Sequence, residues 1–209
     1  YGANSDDYGQ YTQAGGDEYG VRTISNALVL VFDQDDLSAP AEFVDDECIS
    51  FLARRHRAYD FGSYRLGLAE AESRGWLASA SHVLLCNDSV IGPFFGLEPV
   101  VQKMIDSAAP VWGLTESYLY SPHLQSYFLL IRSEVILNPA VREFFDSVVP
   151  QSSRHDVIQA YELGFSRLIK GLGFSWKALL PAAEMLADAK LTSRSPRAGA
   201  VASMARCWV

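Results

Sequence analysis

The residues best suited to chemistry in this chain gather at the ends of apolar runs. His82 to Cys86 (HVLLC) is such a run, and Asn87, Asp88 and Ser89 follow it directly. A carboxylate flanked by an amide and a hydroxyl offers oxygen ligands to a hard divalent cation, and through it to a phosphate. The same three residues also suit a plain turn, in which short polar side chains bond their own backbone. They form an N-x-S sequon as well, but a place directly after a buried strand disfavours glycan attachment. Asp33 and Asp35 follow another apolar run, Ala27 to Phe32 (ALVLVF). They could contact a ligand or form a solvated acidic loop.

Glu162 stands out for its surroundings. On a helix its neighbours are Ile158, Tyr161, Phe165 and Ile169, which places it beside the apolar stripe rather than opposite it. A carboxylate there either borders a cleft, where it can take a proton, or pairs with a cation such as Arg154 or Arg132. His123, Gln125 and Ser126 lie at the start of a strand, with Gln125 and Tyr127 on one face and Ser126 on the other. His123 could bind phosphate, a metal or an acceptor, or serve as a hydrogen-bonding loop residue. Trp112 and Tyr127 could stack on a ligand ring or fill the core. Asp60 and Arg65 could meet hydroxyls or phosphate; otherwise Asp60 stabilises a helix N-terminus and Arg65 is solvated.

These groups need elements to hold them. Ala27 to Phe32 has the wholly apolar character of a strand covered on both faces, and His82 to Cys86 reads as another buried strand. Val44, Cys48, Phe51 and Leu52 fall at helical spacing and predict a helix from Ala41 to His56. A second helix is predicted from about Phe61 to Ala78, with Tyr64, Leu68 and Ala71 on one side, and a third through Leu97, Val100, Val101, Met104 and Ile105. Val111 to Thr115 (VWGLT) and the longer Gln125 to Arg132 (QSYFLLIR) read as strands. Pro139 opens a helix bearing Val141, Phe144, Phe145 and Val148, and Ser152 or Ser153 caps a last one that reaches about Gly171. Alternation of this kind predicts an α/β sheet covered by helices on both faces, with ligands bound beyond the carboxyl ends of the strands. Asp33 to Asp36 and Asn87 to Ser89 fall at that edge.

Residues 1–20 are rich in Gly, Tyr, Asp and Gln and read as a flexible acidic tail or linker, and 191–209 as a polar tail. The folded domain is expected over 21–190. A net charge of -8 makes neutralisation of a nucleic-acid backbone an improbable role. Cys48, Cys86 and Cys207 are widely spaced, form no metal-binding pattern and suggest a reducing compartment. No apolar run has the length of a membrane span, and the N-terminus is too polar for a signal peptide. There is no GxSxG elbow, GxGxxG, P-loop or HExxH.

Five blocks, taken together, resemble the rhamnan synthesis protein F family. They are Asp60-Phe61-Gly62-Ser63-Tyr64, the run Asn87 to Pro93 (NDSVIGP), Trp112-Gly113-Leu114-Thr115, the run His123 to Phe128 (HLQSYF), and Val157 to Gly164 (VIQAYELG). They occur in one order between about Ala27 and Phe174. The resemblance implies a GT-A-like, Rossmann-related mixed sheet covered by helices on both faces, here without its first strand-helix unit. It implies a glycosyltransferase that moves a sugar, rhamnose or another deoxysugar, from a nucleotide diphosphate donor to a polysaccharide or lipid-linked acceptor. Asn87-Asp88-Ser89 would then be the diphosphate-binding turn, with Asp88 holding Mg²⁺ or Mn²⁺. Asp33, Asp60 and Arg65 would join it on the donor side. Trp112, His123, Gln125 and Ser126 would serve acceptor or phosphate, and Glu162 would be the base of an inverting transfer. The implied setting is the cytoplasm, with peripheral association at the inner face of a membrane. The alternatives are a non-catalytic carbohydrate- or protein-binding module on the same fold, and a nucleotide-sugar hydrolase.

Overall fold

The computed structural model describes residues 21–39, 46–87 and 96–182. The two stretches expected as tails lie outside these residues, as do residues 183–190. β1 (Leu28–Phe32) and β2 (Ile49–Ala53) pair in parallel, from Leu28 opposite Ile49 to Phe32 opposite Ala53. β2 corrects the helix expected over 41–56. The apolar run Ile49 to Ala53 is too short for its spacing to separate a helix from a strand, and pairing with β1 decides the matter. The rest of that expected helix, up to residue 45, lies outside the described residues.

α1 (Tyr59–Ser73) follows, and Gly75 in the left-handed region (φ 75°) separates it from α2 (Trp76–Ser79). That break divides the single helix expected to Ala78. β3 (His82–Cys86), α3 (Glu98–Ile105) and β4 (Val111–Ser117) come next. The strand expected over 125–132 begins only at Phe128, as β6 (Phe128–Arg132), and a separate short β5 (His123–Leu124) precedes it across the irregular residues 125–127. α4 (Ser133–Ile136), α5 (Pro139–Asp146), α6 (Arg154–Val157), a π-helical turn (Ile158–Glu162) and α7 (Leu163–Gly171) lead to β7 (Trp176–Leu180). Two expected starts are met: Asn138 caps α5 through the Ala140 amide with Pro139 at its first turn, and Ser153 caps α6 through the Asp156 amide. β7, which sequence reading did not anticipate, carries Lys177 inside a short apolar run.

The main sheet is mixed. β6 lies between β3 and β4, antiparallel to both, while β7 runs parallel to β4 on its other edge. β5 continues the hairpin along the far end of β4, with Glu116 opposite Leu124. Helices cover both faces. On one, Val111, Leu129 and Ile131 pack with Phe61, Leu68, Val141, Phe145, Phe165 and Ile169 of α1, α5 and α7. On the other, Trp112, Phe128 and Leu130 pack with Val101 and Met104 of α3.

Phe61 is the hub of the first face. It is 1 % exposed, and its ring meets those of Tyr64, Phe144, Phe145 and Tyr161 at centroid distances of 5.3–6.4 Å. Such pairs add to the area term when rings meet edge to face or offset. Replacing Phe61 with Ala should lower unfolding free energy by roughly 3–5 kcal/mol, measured by urea denaturation, because the rings around it cannot all close the void.

Candidate functional site

Two strand ends and two helices meet at the interruption between β5 and β6. There Ser126 gives its backbone groups to side chains instead of to a neighbouring strand. Its amide donates to Glu162 Oε1 at 3.2 Å and its hydroxyl donates to the same oxygen at 2.6 Å. Its carbonyl accepts the Tyr64 hydroxyl of α1 at 2.8 Å. One residue further, the Tyr127 carbonyl accepts the Asn87 amide at 3.1 Å, so the end of β3 is tied to the same place. Gln125 stays with β4: its amide donates to the Thr115 carbonyl at 3.2 Å, and its side-chain carbonyl accepts the Thr115 hydroxyl at 2.7 Å.

Glu162 ends the π-helical turn, in which the Leu163 amide reaches back five residues to the Ile158 carbonyl. Inserted residues of this kind recur at functional sites because they re-aim one side chain without ending the helix. Here Glu162 is turned onto the strand break, its side chain 17 % exposed. Its second oxygen, Oε2, lies 3.8 Å from His123 Nε2. His123 is buried, at 2 % exposure, and its Nδ1 lies 2.8 Å from the Ser121 carbonyl. A carbonyl can only accept, so Nδ1 carries a hydrogen and Nε2 is the atom turned to the carboxylate. The two carboxylate oxygens therefore differ. Oε1 is engaged by Ser126, and Oε2 faces the His123 imidazole across 3.8 Å, beyond direct hydrogen-bond distance.

The cation expected beside Glu162 is not Arg132. That guanidinium donates to the Ser107 carbonyl at 2.7 Å and approaches Glu134. Trp112 lies across the sheet from Glu162, on the face packed by α3, 6 % exposed with Lys177 Nζ 5.8 Å from its ring centroid. His123 and Ser126 are thus gathered with Glu162. Gln125 is turned to Thr115, and Trp112 lies apart from both.

Ahead of α1, Asp33 accepts from the His56 amide at 2.6 Å and from the Arg57 amide at 3.0 Å, fixing the loop that enters the helix. Asp35 does the same for Arg55 through amide and guanidinium, and these bonds hold its carboxyl below the usual range. The His56 ring lies against α1, where Nε2 is 3.0 Å from Ser63 Oγ and Nδ1 accepts the Ala58 amide at 3.2 Å. Burial lowers its pKa, against the raising effect of Asp33. A Cβ on Gly62 would come within 2.2 Å of His56 Nδ1, so this close approach needs glycine. Asp60 sits in the first turn of α1. Arg65 is not solvated: its Nη1 donates to the Val148 carbonyl at 2.8 Å and binds α1 to the end of α5. Asn87 ends β3, whereas Asp88 and Ser89 lie outside the described residues. Among the described residues no group of three or more His, Cys, Asp or Glu is placed to hold a metal.

Tyr64 and His56 are the site-building residues that sequence reading missed. Tyr64 was visible as a member of an apolar stripe and of the Asp60 to Tyr64 block, and neither carries a sign that its hydroxyl will reach a broken strand.

The family model for rhamnan synthesis protein F matches residues 21–201, and the chain belongs to that family. It is 29% identical over 143 residues to the virulence protein VirA of Vibrio anguillarum, a match covering 68% of this chain and 45% of that protein. It is 24% identical over 171 residues to the uncharacterized protein y4gN of Sinorhizobium fredii, covering 80% of this chain and 42% of that protein. The chain therefore spans less than half the length of these curated relatives. No solved structure matches it. Among the described residues no helix is long and apolar enough to cross a membrane.

Two outcomes test the geometry. Ser126→Ala removes a hydrogen bond to a partly buried carboxylate and should cost roughly 1.5–3 kcal/mol in urea denaturation. Cys86, at the end of β3, has its thiol pushed up to about 11 by burial, while Cys48 is exposed. At pH 8, iodoacetamide should label Cys48 in the folded protein and reach Cys86 only on unfolding, as read by peptide mass mapping.

Proposed function

We propose that this chain carries the catalytic base and part of the donor site of a glycosyltransferase with a GT-A-like fold. The reaction would move a sugar, rhamnose or a related deoxysugar, from a nucleotide diphosphate donor to a glycan or lipid-linked glycan. Family membership supports a role in polysaccharide synthesis. The observation that carries the reading is the meeting of two groups at one strand break: Asn87, which opens the Asn87-Asp88-Ser89 turn, and the Glu162 carboxylate, each bonded to the 126–127 backbone.

Inverting transfer needs a carboxylate oriented towards an acceptor hydroxyl and stabilisation of the leaving diphosphate. Ser126 fixes the orientation of Glu162, and His123 Nε2 stands 3.8 Å from the Oε2 that would accept the proton. Asp88 would hold Mg²⁺ or Mn²⁺ together with diphosphate oxygens, a ligand set in which a single carboxylate is enough for Mg²⁺. Such an ion would offset the negative charge that builds on the leaving group. Asp33 would act by holding the 56–57 loop at the donor side, with Asp60 and Arg65 on the helix behind it. The setting proposed is the cytoplasmic face of a membrane, reached by peripheral association.

Glu162→Gln should reduce transfer about a hundred-fold or more in a radiolabelled-sugar assay while the variant stays folded and keeps donor binding unchanged. Full transfer by the folded variant would remove the base assignment. Absence of any thermal shift with millimolar uridine or thymidine diphosphate and Mn²⁺ would instead favour a non-catalytic binding module.

A further inference from the structure

The hairpin between β4 and β5 ends in Tyr118, Leu119 and Tyr120, which are 57 %, 52 % and 58 % exposed. Three large side chains in succession at more than half exposure are unusual for a loop whose strands are buried, and such patches mark contact surfaces. The tip is built rather than loose. Tyr120 has φ 69°, a conformation that costs a tyrosine backbone energy. It is held over His155 of α6, with the ring centroids 5.5 Å apart in an edge-on arrangement and the hydroxyl 3.3 Å from Nδ1. Tyr118 is oriented by its hydroxyl, 3.3 Å from Glu116, and the Leu119 amide donates to Ser117 Oγ at 3.1 Å.

This tip is joined to the Glu162 carboxylate by a short path. Ser121, the next residue after Tyr120, supplies the carbonyl that orients His123, and His123 Nε2 faces Glu162. His155 lies seven residues before Glu162 on the same helix, about 10 Å along its axis. A linear chain lying on the tip would thus lead to the carboxylate.

We infer that Tyr118, Leu119 and Tyr120 form an acceptor subsite that binds a neutral glycan chain beside Glu162. This rests on the proposed transferase reading. The C–H faces of pyranose rings carry partial positive charge and lie against the electron-rich faces of tyrosine rings, while phenol hydroxyls bond sugar hydroxyls. The local charge favours a glycan over a lipid surface. From Val111 to Ile131 the sole side chain of fixed charge is Glu116, and on α6 Arg154 and Asp156 flank the His155 that the tip meets, so the tip carries no excess of cations, whereas a surface that docks on anionic lipid needs them beside its aromatics.

The test titrates the full chain with rhamnotetraose and follows tyrosine ring signals by NMR, comparing wild type with the double variant Tyr118→Ser, Tyr120→Ser. Wild type is expected to show shifts at both rings, and the variant at least ten-fold weaker binding with an unchanged melting temperature. Glu162→Gln should bind the tetrasaccharide as wild type does. In the transfer assay the double variant should raise acceptor KM at least ten-fold and leave donor KM unchanged. Ring signals that do not move, or a variant that binds equally well, overturns the subsite. So does sedimentation of wild type, but not the double variant, with phosphatidylglycerol vesicles, which would make the tip a lipid contact. If Glu162→Gln keeps full transfer while the ring shifts persist, the base assignment fails alone and the glycan surface stands.

Discussion

One exchange of hydrogen bonds governs the rest: the Ser126 amide leaves the β-ladder and binds the Glu162 carboxylate. A carboxylate mostly removed from water is costly unless donors replace its hydration. An unbroken strand would direct its amides along the sheet and have none to spare. By interrupting the strand between Leu124 and Phe128, the fold supplies an amide and a hydroxyl to one oxygen of Glu162. The ladder position lost is offset by a charge-assisted bond and by the Tyr64 hydroxyl on the Ser126 carbonyl. The irregularity in the strand is matched by another in the helix, the π-helical turn that ends at Glu162. Each departure from regular geometry satisfies groups that the other leaves open.

α1 holds both sides of the site at once. Ser63 meets His56 in the loop fixed by Asp33, and the adjacent Tyr64 reaches the strand break. Phe61, in the same first turns of α1, anchors the helix in the aromatic cluster with α5 and the helix of Glu162. Tyr161, next to Glu162, both accepts from the Val149 amide and donates to its carbonyl, locking the loop after α5. The carboxylate is therefore oriented by a rigid core, while the exposed Tyr118, Leu119 and Tyr120 stand on a hairpin tip. Division of labour between scaffold and loop is what surface chemistry on a packed sheet requires.

Family membership and fold class agree with this picture, because a mixed sheet covered on both faces brings strand ends together at one edge. Belonging to the family does not by itself assign roles to side chains. Those follow from which groups converge. His123 and Ser126 converge on Glu162, Trp112 faces the opposite layer, and Arg65 serves the packing of α1 on α5.

The sequence by itself determined the class of fold, because apolar runs and helical stripes are local and periodic. His82 to Cys86, Val111 to Thr115 and the capped helix starts at Asn138-Pro139 and Ser153 were legible for that reason. It also marked Glu162, since a carboxylate beside an apolar stripe is conspicuous in one dimension. Ile49 to Ala53 was misread as helix because its strand character comes from β1, about twenty residues away in the chain. The break at Ser126 left no trace, since an amide that abandons its strand is indistinguishable in sequence from one that keeps it. Only the tertiary structure could decide that exchange, because the donor, the acceptor and the tyrosine that completes it lie on three separate elements.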